Sequence, residues 1–205
     1  MIIGPKYKIA KRLGASVFEK TQTQKFALSE ARKSKIRKMG RRPRNISDFG
    51  KQLLEKQKVR FTYGITEKQF RNYIDAVLGM HGVNPAEELH KALERRLDNV
   101  VARATLATTR RGARQMVSHG HITVNGKKIT VPSHKVKIGD VIGVREGSKS
   151  APLFEGASDR MAGATILGWL TSNPKDLAVT VADLPGFVAT EAAGDLTSVI
   201  SFYSR

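Results

Sequence analysis

A two-residue turn signal constrains the fold of this chain more than any other sequence feature. Asn125-Gly126 separates two runs that alternate between apolar and polar residues, a pattern that predicts a β-hairpin with a two-residue turn. In that register Val124 pairs with Lys127. The apolar residues that share one face of the hairpin are Ile122, Val124, Ile129 and Val131. The sequence therefore predicts an antiparallel sheet with one buried face in this region.

Two short amphipathic helices are predicted before the hairpin. Apolar residues at helical spacing indicate one helix from Leu97 to Ala104, and Thr109 is placed to cap a second helix that Gly120 ends. The second helix turns Ala113, Met116 and Val117 inward. After the hairpin, strands are predicted at 136–138 and 141–144, with a turn between them. Together these elements form a mixed α/β module at 96–150.

Helix start signals also precede the module. Ser47 is an N-cap for a helix that runs to Arg60, and Thr66 with Gln69 forms a capping box before a helix that ends at Leu78. That second helix carries an apolar stripe of Phe70, Ile74, Val77 and Leu78. A third helix begins at Asn84-Pro85 and ends near Arg95 or Arg96. We therefore predict a helical domain at 47–95.

The two ends of the chain carry weaker signals. Residues 1–46 read as a basic amino-terminal arm, and residues 151–205 hold strand-like runs at 169–170, 178–181 and 199–203. We expect this carboxy-terminal segment to pack on the module and on the helical domain. The predicted fold class is α+β, a helical amino-terminal domain plus a small module of two short helices against an antiparallel sheet.

The positive charge is concentrated toward the amino terminus. The formal net charge of the 205 residues is +18, with net values of +14 in 1–60, +7 in 61–150 and −3 in 151–205. Seven cations lie between Lys33 and Arg44 and repel one another. This run is either a solvated arm or an arm that becomes ordered on a phosphate backbone. In both cases the charge predicts a polyanionic partner.

Several classes of protein are excluded by what the chain lacks. It has no cysteine, which excludes a disulfide framework, a thiolate metal site and a cysteine nucleophile. The longest weakly polar stretch, at 162–170, is far shorter than the roughly 20 residues of a membrane span. The first residues lack the apolar run of a secretory signal. We therefore expect a cytoplasmic protein with no membrane partner.

No catalytic constellation is found in the sequence. Phosphate-binding glycine loops, nucleophile elbows and the paired-histidine zinc motif are all missing. Arg96-Leu97-Asp98 resembles the catalytic triplet of pseudouridine synthases, but the following residues continue a helix, so Asp98 is predicted to be structural. His119 and His121 would lie on opposite sides of a helix and make a poor metal site. We predict no enzyme activity, cofactor, metal or small-molecule substrate.

A cluster of cations in the module fits a phosphate-rich ligand. Arg110, Arg111 and Arg114 fall on the outward side of the second short helix, and Lys127 and Lys128 lie on the hairpin beside it. Helix amides and planar guanidinium groups both bind phosphate oxygens well. Aromatic residues make up only 6% of the chain, so recognition of the backbone and shape of a folded RNA is favoured over base stacking.

Longer segments resemble one known family. They are Ser47-Asp48-Phe49-Gly50, QLLEKQKVRFTYGITEKQFRNY at 52–73, LERRLDNVV at 93–101 and ARQMVSHGHITVNGK at 113–127, together with Gly4-Pro5-Lys6 and Phe202-Tyr203-Ser204-Arg205 at the two ends. These segments closely resemble bacterial small-subunit ribosomal protein four. The likeness covers nearly the whole chain and is strongest from Ser47 to Val144.

The resemblance implies a structural constituent of the small ribosomal subunit. A member of this family binds small-subunit ribosomal RNA (rRNA) at a multi-helix junction in the five-prime domain and nucleates assembly. It contacts small-subunit ribosomal protein five at an interface linked to decoding accuracy, near the place where messenger RNA enters. Some members hold zinc through four cysteines, which this chain lacks. We expect the two domains to form one concave basic surface.

The expected RNA contacts combine the matched segments with the cation cluster. They are Lys6, Lys8, Arg41, Arg42, Arg44, Lys51, Lys56, Lys58, Arg60, Arg71, Arg110, Arg111, Arg114, Ser118, His119, Lys127 and Lys128.

Two other classes carry comparable modules. A stand-alone stress protein or an RNA-modifying enzyme would lack the segment from Ser47 to Tyr73, which this chain has. A helix-turn-helix repressor would read duplex DNA with base-reading Asn or Gln residues, which are few here.

Overall fold

A computed structural model of the chain describes residues 4–29, 31–32, 46–187 and 193–204. The described residues of Met1–Ala86 and Ala189–Arg205 form one compact unit, and those of Glu87–Val188 form the other. The predicted α+β class is confirmed. The predicted division at 46, 95 and 150 stays a prediction, and the basic run with Arg41, Arg42 and Arg44 lies outside the described residues.

The first unit is helical. Its helices are α1 (Lys6–Leu13), α2 (Asp48–Tyr63), α3 (Glu67–Leu78) and, near the carboxy terminus, α8 (Leu196–Tyr203). Residues 24–29 are also helical, and Glu19–Thr21 forms one turn of 3₁₀-helix. The helix α4 (Pro85–Glu94) spans the boundary between the units.

The predicted helix starts of this unit are confirmed. The Ser47 hydroxyl oxygen accepts a hydrogen bond from the amide of Gly50 at 3.3 Å. The Thr66 hydroxyl oxygen accepts from the amide of Gln69 at 3.3 Å, and the Gln69 side chain accepts from the amide of Thr66 at 3.4 Å. These bonds satisfy amides that have no partner within the helix, so the caps fix where α2 and α3 begin.

Two predictions for this unit are wrong. The run 199–203 was expected as a strand but is the end of α8. The Asp195 carboxylate accepts from the amides of Thr197 and Ser198 and starts a helix there, and α8 then packs along α2, with the Phe49 and Phe202 rings 5.3 Å apart. Leu78 was expected in the apolar stripe of α3 but is exposed, because it lies at the last position of the helix.

The second unit contains three helices and a five-stranded antiparallel sheet. The helices are α5 (Leu97–Arg103), α6 (Arg110–Ser118) and α7 (Ala157–Gly163). The strands are β1 (Ile122–Val124), β2 (Lys127–Lys128), β3 (Val141–Val144), β4 (Leu170–Asn173) and β5 (Ala178–Val181), in the order β2-β1-β3-β5-β4. Single 3₁₀ turns lie at Glu146–Ser148 and Pro152–Phe154.

The hairpin has its predicted register, with Val124 opposite Lys127. Asn125 takes a positive φ of 51° at the turn, and its side chain fixes the tip to the loop before β3. The Asn125 amide group donates to the Asp140 carboxylate at 2.8 Å, and its carbonyl oxygen accepts from the amide of Val141 at 2.8 Å. The two lysines of β2 therefore lie on a braced hairpin.

The segment between β2 and β3 differs from the prediction. Residues 136–138 do not form a strand, because this stretch bonds to the chain around the start of α5. The amide of Val136 donates to the carbonyl of Arg95 at 3.0 Å, and the amide of Leu97 donates to the carbonyl of His134 at 2.9 Å. Val131, expected on the inward face, is 55% exposed because the chain has already left the sheet there.

One apolar core holds the second unit together. Leu97, Val100 and Val101 from α5 and Ala113, Met116 and Val117 from α6 pack with the buried residues of β1, β3, β4 and β5. The helix that carries Arg110, Arg111 and Arg114 is therefore held by a buried apolar face. Within the described part of the chain, no helix is long and apolar enough to cross a membrane.

Candidate nucleic-acid interface

Helix α6 presents a cation-rich first turn. The Thr109 hydroxyl oxygen caps it by accepting from the amide of Gly112 at 2.9 Å, as predicted. Arg110, Arg111 and Arg114 follow this cap with no acidic residue between them. The positive end of the helix dipole and the guanidinium groups therefore favour anions at the same place.

The three arginines of α6 differ in their surroundings. Arg111 is exposed. Arg110 is half-buried and its Nε donates to the Asn99 carbonyl oxygen at 2.9 Å. Arg114 was expected to be exposed, but its side chain is only 27% exposed, because its Nε and Nη2 both donate to Oδ2 of Asp98, at 2.8 and 2.6 Å. Of the three arginines of α6, Arg111 is solvated, whereas Arg110 and Arg114 are hydrogen-bonded to Asn99 and Asp98.

Two buried carboxylates hold these side chains and their neighbours. Asp98, whose side chain is 4% exposed, also accepts from Nε and Nη2 of Arg96, at 3.0 and 2.8 Å. Asp98 was predicted to be structural, and in the structure its carboxylate accepts hydrogen bonds from two arginines. Glu94, with 1% of its side chain exposed, accepts from Arg103 through two bonds of 3.1 and 2.9 Å. Asn99 links Glu94 to Arg110, since its amide donates to Glu94 at 2.8 Å and its carbonyl oxygen accepts from Arg110.

The sequence reasoning did not identify Glu94, Asn99 and Arg103. The sequence did contain a signal for such a group. Acidic residues are rare in this basic segment, and a carboxylate that lies beside apolar helix positions can be buried only if it is paired.

One of the two hairpin lysines, Lys128, lies next to Gly120, just past the end of α6. Lys127 and Lys128 are both exposed. The alkyl chain of Lys128 passes over Gly120, where a Cβ atom would collide with it and where φ is +76°. The positive φ favours glycine at this position, whereas the end of the flexible Lys128 side chain could move aside. The structure thus brings a hairpin lysine next to the helix that carries the arginines, as the sequence predicted.

Ser118 and His119 lie at the carboxy-terminal end of the same helix. The Ser118 hydroxyl donates to the carbonyl of Arg114 at 2.9 Å, and both residues are exposed. His119 and His121 would lie on opposite sides only if both were helical, and that condition is not met, because α6 ends at Ser118. Their rings are parallel, with centroids 6.3 Å apart, and Nδ1 of His121 lies 3.0 Å from the Ser148 hydroxyl.

Metal binding has little support in the side chains near these histidines. Within the residues that the structure describes, no group of three or more His, Cys, Asp or Glu residues is placed to hold a metal ion. A four-cysteine zinc site does not fit a chain without cysteine.

The predicted contacts on α2 are already paired within the chain. Lys51 lies 3.0 Å from Asp48, and Lys58 lies 2.5 Å from Glu55, each three residues away. Arg60 donates from Nε to the Gln57 side chain at 3.0 Å and stacks over Phe61. An RNA phosphate therefore has to compete with these contacts.

Lys56 is the one α2 cation that the structure removes from the exposed surface. It is 6% exposed, its Nζ lies 2.7 Å from Oε1 of Glu67, and it stands 4.7 Å from the centroid of the Phe202 ring. The predicted role of Lys56 as an RNA contact does not fit this position, since its ammonium group joins α2 to α3 and α8.

The same cluster changes the acidity of its members. Burial by itself raises the pKa of Glu67, but hydrogen bonds from Lys56 and Tyr203 and the charges of Lys56 and Arg60 outweigh it and lower that pKa. The Tyr203 hydroxyl donates to Oε1 of Glu67 at 2.6 Å, and burial, followed by this bond to a carboxylate, raises the pKa of Tyr203. Glu67 therefore stays ionised in the folded chain at neutral pH.

The remaining predicted contacts are spread over the first unit. Lys6 and Lys8 lie on α1, where Lys8 is exposed and the Nζ of Lys6 is 5.7 Å from the centroid of the Phe18 ring. Arg71 is exposed on α3, with its Nε 3.7 Å from the Asp75 carboxylate. These side chains do not form a cluster comparable to that of α6.

Comparison with known proteins identifies both parts of the chain. Residues 1–94 match the model of the ribosomal protein S4/S9 N-terminal domain, and residues 95–142 match the model of the S4 domain. The small ribosomal subunit protein uS4 of Roseiflexus sp. (strain RS-1) is 40% identical over 98% of this chain and 98% of its own length. The uS4 protein of Chloroflexus aurantiacus (strain ATCC 29366 / DSM 635 / J-10-fl) is 41% identical over 99% of this chain and 98% of its own.

Proposed function

The chain belongs to the uS4 family of small ribosomal subunit proteins, and from that membership we propose how its parts act in the subunit. It is a structural, rRNA-binding protein of the small subunit and not an enzyme. It acts on the ribosome in the cytoplasm. The rival classes, a stand-alone stress protein, an RNA-modifying enzyme and a DNA repressor, do not have both matched domains.

We propose that α6 and the hairpin form the main phosphate-binding surface of the second unit. The capped first turn of α6, the exposed Arg111 and the hairpin lysines Lys127 and Lys128 carry this proposal. Guanidinium groups bind phosphate oxygens through two parallel hydrogen bonds, whereas lysine acts as a point charge. The arginines would therefore orient the RNA, and the lysines would strengthen the attraction.

We propose that the RNA target is a multi-helix junction in the five-prime domain of the small-subunit rRNA. A protein that neutralises phosphates on several RNA helices fixes the angles between them, because each contact restrains one helix against the same scaffold. Fixed angles would prepare binding sites for later proteins, which is how the chain would nucleate assembly. The cations of both units would contribute, including Arg41, Arg42 and Arg44 of the basic run.

We also propose contact with small-subunit ribosomal protein five, an influence on decoding accuracy and a position near the entrance for messenger RNA. This part is supported by the family resemblance alone. Its test is chemical cross-linking of assembled small subunits, in which this chain should be joined to protein five. Subunits that give cross-links only to other proteins would contradict the proposed contact.

The phosphate-binding surface is tested by removing its exposed arginine. Arg111→Ala should weaken binding to transcribed small-subunit rRNA and flatten the dependence of log affinity on log salt by about one unit, because one phosphate contact is lost. Lys175→Ala is the matched control, since Lys175 is exposed in the turn between β4 and β5. Filter binding over a salt series measures both. Equal slopes for the two variants would contradict the proposed surface.

The proposed junction is tested by nuclease footprinting of the full-length transcript with the wild-type chain. Protection should appear on several helices that meet at one junction of the five-prime domain. Protection confined to one helix, or located in another domain, would contradict the proposed target without affecting the identity of the family.

A further inference from the structure

We propose that Asp98 is a positioning residue for RNA binding, because its buried carboxylate fixes the Arg114 guanidinium at the outward side of α6. Asp98 itself would not touch RNA. This inference rests on the proposed phosphate-binding surface of α6 and adds a residue that acts through that surface.

The contacts of Asp98 support a positioning role. Its Oδ2 atom accepts from Nε and Nη2 of Arg114, at 2.8 and 2.6 Å, and its two oxygens also accept from Arg96. Two bonds from one guanidinium to one oxygen fix the direction of the group, because its Nε–Nη2 edge has to face the carboxylate. Arg114 follows Arg111 by three residues on α6, so the two side chains are neighbours on the helix surface.

The burial of each partner indicates which group faces solvent. The Arg96 and Asp98 side chains are 3% and 4% exposed, whereas that of Arg114 is 27% exposed. The chain thus buries one arginine and the carboxylate and leaves the second arginine, Arg114, partly exposed. Only the last of the three is accessible to a phosphate group.

Preorganisation explains what the carboxylate would contribute. An arginine side chain in water samples many rotamers and loses that freedom when it binds a phosphate. Arg114 has already lost much of this freedom in the folded protein. Binding to RNA would then involve a smaller entropy loss, and the affinity would be higher.

A second pair has the same design. The Asn99 carbonyl oxygen accepts from Nε of Arg110 at 2.9 Å, while the Asn99 amide donates to Glu94 at 2.8 Å. Asn99 is 3% exposed and Arg110 is half-buried on the first turn of α6. Here the acceptor that holds Nε of Arg110 is a neutral amide oxygen.

The direction in which one substitution changes the RNA affinity separates positioning from simple electrostatics. Asp98→Asn removes a negative charge near the RNA, so electrostatics alone predicts tighter binding. Positioning predicts weaker binding, because a neutral amide offers one acceptor oxygen where the carboxylate offers two, so its nitrogen faces one of the two guanidinium groups and the hold on Arg114 is weakened. The two explanations therefore predict opposite changes for the same variant.

The experiment compares Asp98→Asn with Glu146→Gln by filter binding to transcribed small-subunit rRNA. Glu146 is exposed and pairs with Lys149 three residues away, which makes it a matched control for the lost charge. We expect Asp98→Asn to weaken binding by about three- to tenfold, the range that corresponds to ordering one long side chain, and Glu146→Gln to leave it unchanged or slightly tighter. Unchanged or tighter binding by Asp98→Asn would overturn the proposal.

A double-mutant cycle shows whether the effect passes through Arg114. In an Arg114→Ala background, Asp98→Asn should cause no further weakening, because the side chain that it positions is gone. An equal loss in both backgrounds would mean that Asp98 only supports the fold. Circular dichroism on the same samples reports whether each variant is folded.

The second pair keeps the proposal testable if Asp98→Asn does not fold. Asn99→Ser removes the carbonyl oxygen that holds Arg110 and leaves both buried carboxylates in place. Its effect on binding should disappear in an Arg110→Ala background, and a persistent effect would overturn the proposal. If the wild-type chain binds the RNA but Arg111→Ala behaves like Lys175→Ala, the proposed phosphate-binding surface is contradicted. If instead the effects of the paired substitutions simply add in the double-mutant cycles, only the positioning role is contradicted.

Discussion

The helix α2 and the pair α5–α6 both carry several cations, but they hold them in opposite ways. Two of the four cations of α2, Lys51 and Lys58, pair with an acidic residue three positions away on the same helix, and the side chains of Lys51 and Asp48 are 66% and 84% exposed. In the second unit, Glu94 and Asp98 have side chains that are 1% and 4% exposed. Exposed pairs add little to stability and exchange partners easily, whereas removing one partner of a buried pair is costly.

The difference indicates two ways to prepare cations for a polyanion. Lys51 and Lys58 of α2 would leave their partners and take up phosphates with little change in the fold. The arginines of the module would keep their partners and present a fixed geometry. Substitutions in the two regions therefore should have very different effects on stability.

The largest effect is expected for Glu94. Glu94→Gln should lower the free energy of unfolding by about 3 to 5 kcal/mol, because Arg103 and Asn99 lose a buried anionic partner. Glu88→Gln on the same helix α4 is the matched control, since Glu88 pairs with Lys91 and both side chains are partly exposed, and it should cost less than about 1 kcal/mol. Urea denaturation measures both. Similar losses for the two variants would remove the contrast between buried and exposed pairs.

A smaller effect is expected at the helix caps. Thr109→Ala should lower the free energy of unfolding by about 1 kcal/mol, because the amide of Gly112 loses its acceptor. Ser47→Ala is the corresponding change on α2, where the bond to Gly50 is longer, 3.3 Å against 2.9 Å. Thermal unfolding of both variants should show the larger loss for Thr109→Ala. The reverse order would indicate that the cap of α6 contributes less to stability than the cap of α2.

The ionisation of the half-buried Glu67 should make the free energy of unfolding depend on pH. Its pKa is lowered in the folded chain from an ordinary value of 4.5, so its contribution to stability is present above that value and is lost as the pH falls through the folded-state pKa. Glu67→Gln should therefore lose part of the acid sensitivity of the wild type. Urea unfolding at several values between pH 7 and pH 3 measures this. Identical pH profiles would show that the bonds from Lys56 and Tyr203 do not stabilise the ionised form.

The smallest effect is expected for Lys51. Lys51→Ala should change the free energy of unfolding by at most about 0.5 kcal/mol, because its pair with Asp48 is exposed and screened by solvent. The same urea experiment as for Glu94→Gln applies. A loss of several kcal/mol would place Lys51 in a structural role and break the comparison between the two regions.

Much of the fold could be predicted because local rules and tertiary packing agree. The caps at Ser47, Thr66 and Thr109 and the turn at Asn125 are set by side chains that bond within a few residues. The run 199–203 was mispredicted because its β-branched and aromatic residues favour a strand locally. Its packing against α2 and its cap at Asp195 override that preference.

The candidate site was predicted in part for the same reason. Arg111, Lys127 and Lys128 are exposed as expected, since outward positions follow from helix and hairpin periodicity. The positions of Lys56 and Arg114 were not predictable in this way. Their partners Glu67 and Asp98 are eleven and sixteen residues away, and sequence patterns do not report such pairings.

The sequence by itself determined the basic character of the chain, its capped helices, its hairpin register and its resemblance to a ribosomal family. Each of these depends on composition or on residues close together along the chain. Only the tertiary structure decided which cations are solvated and which are held by a carboxylate, because the burial of an ion pair depends on the packing of helices distant in sequence. The division between Arg111 and Arg114, three residues apart on one helix, is the clearest case.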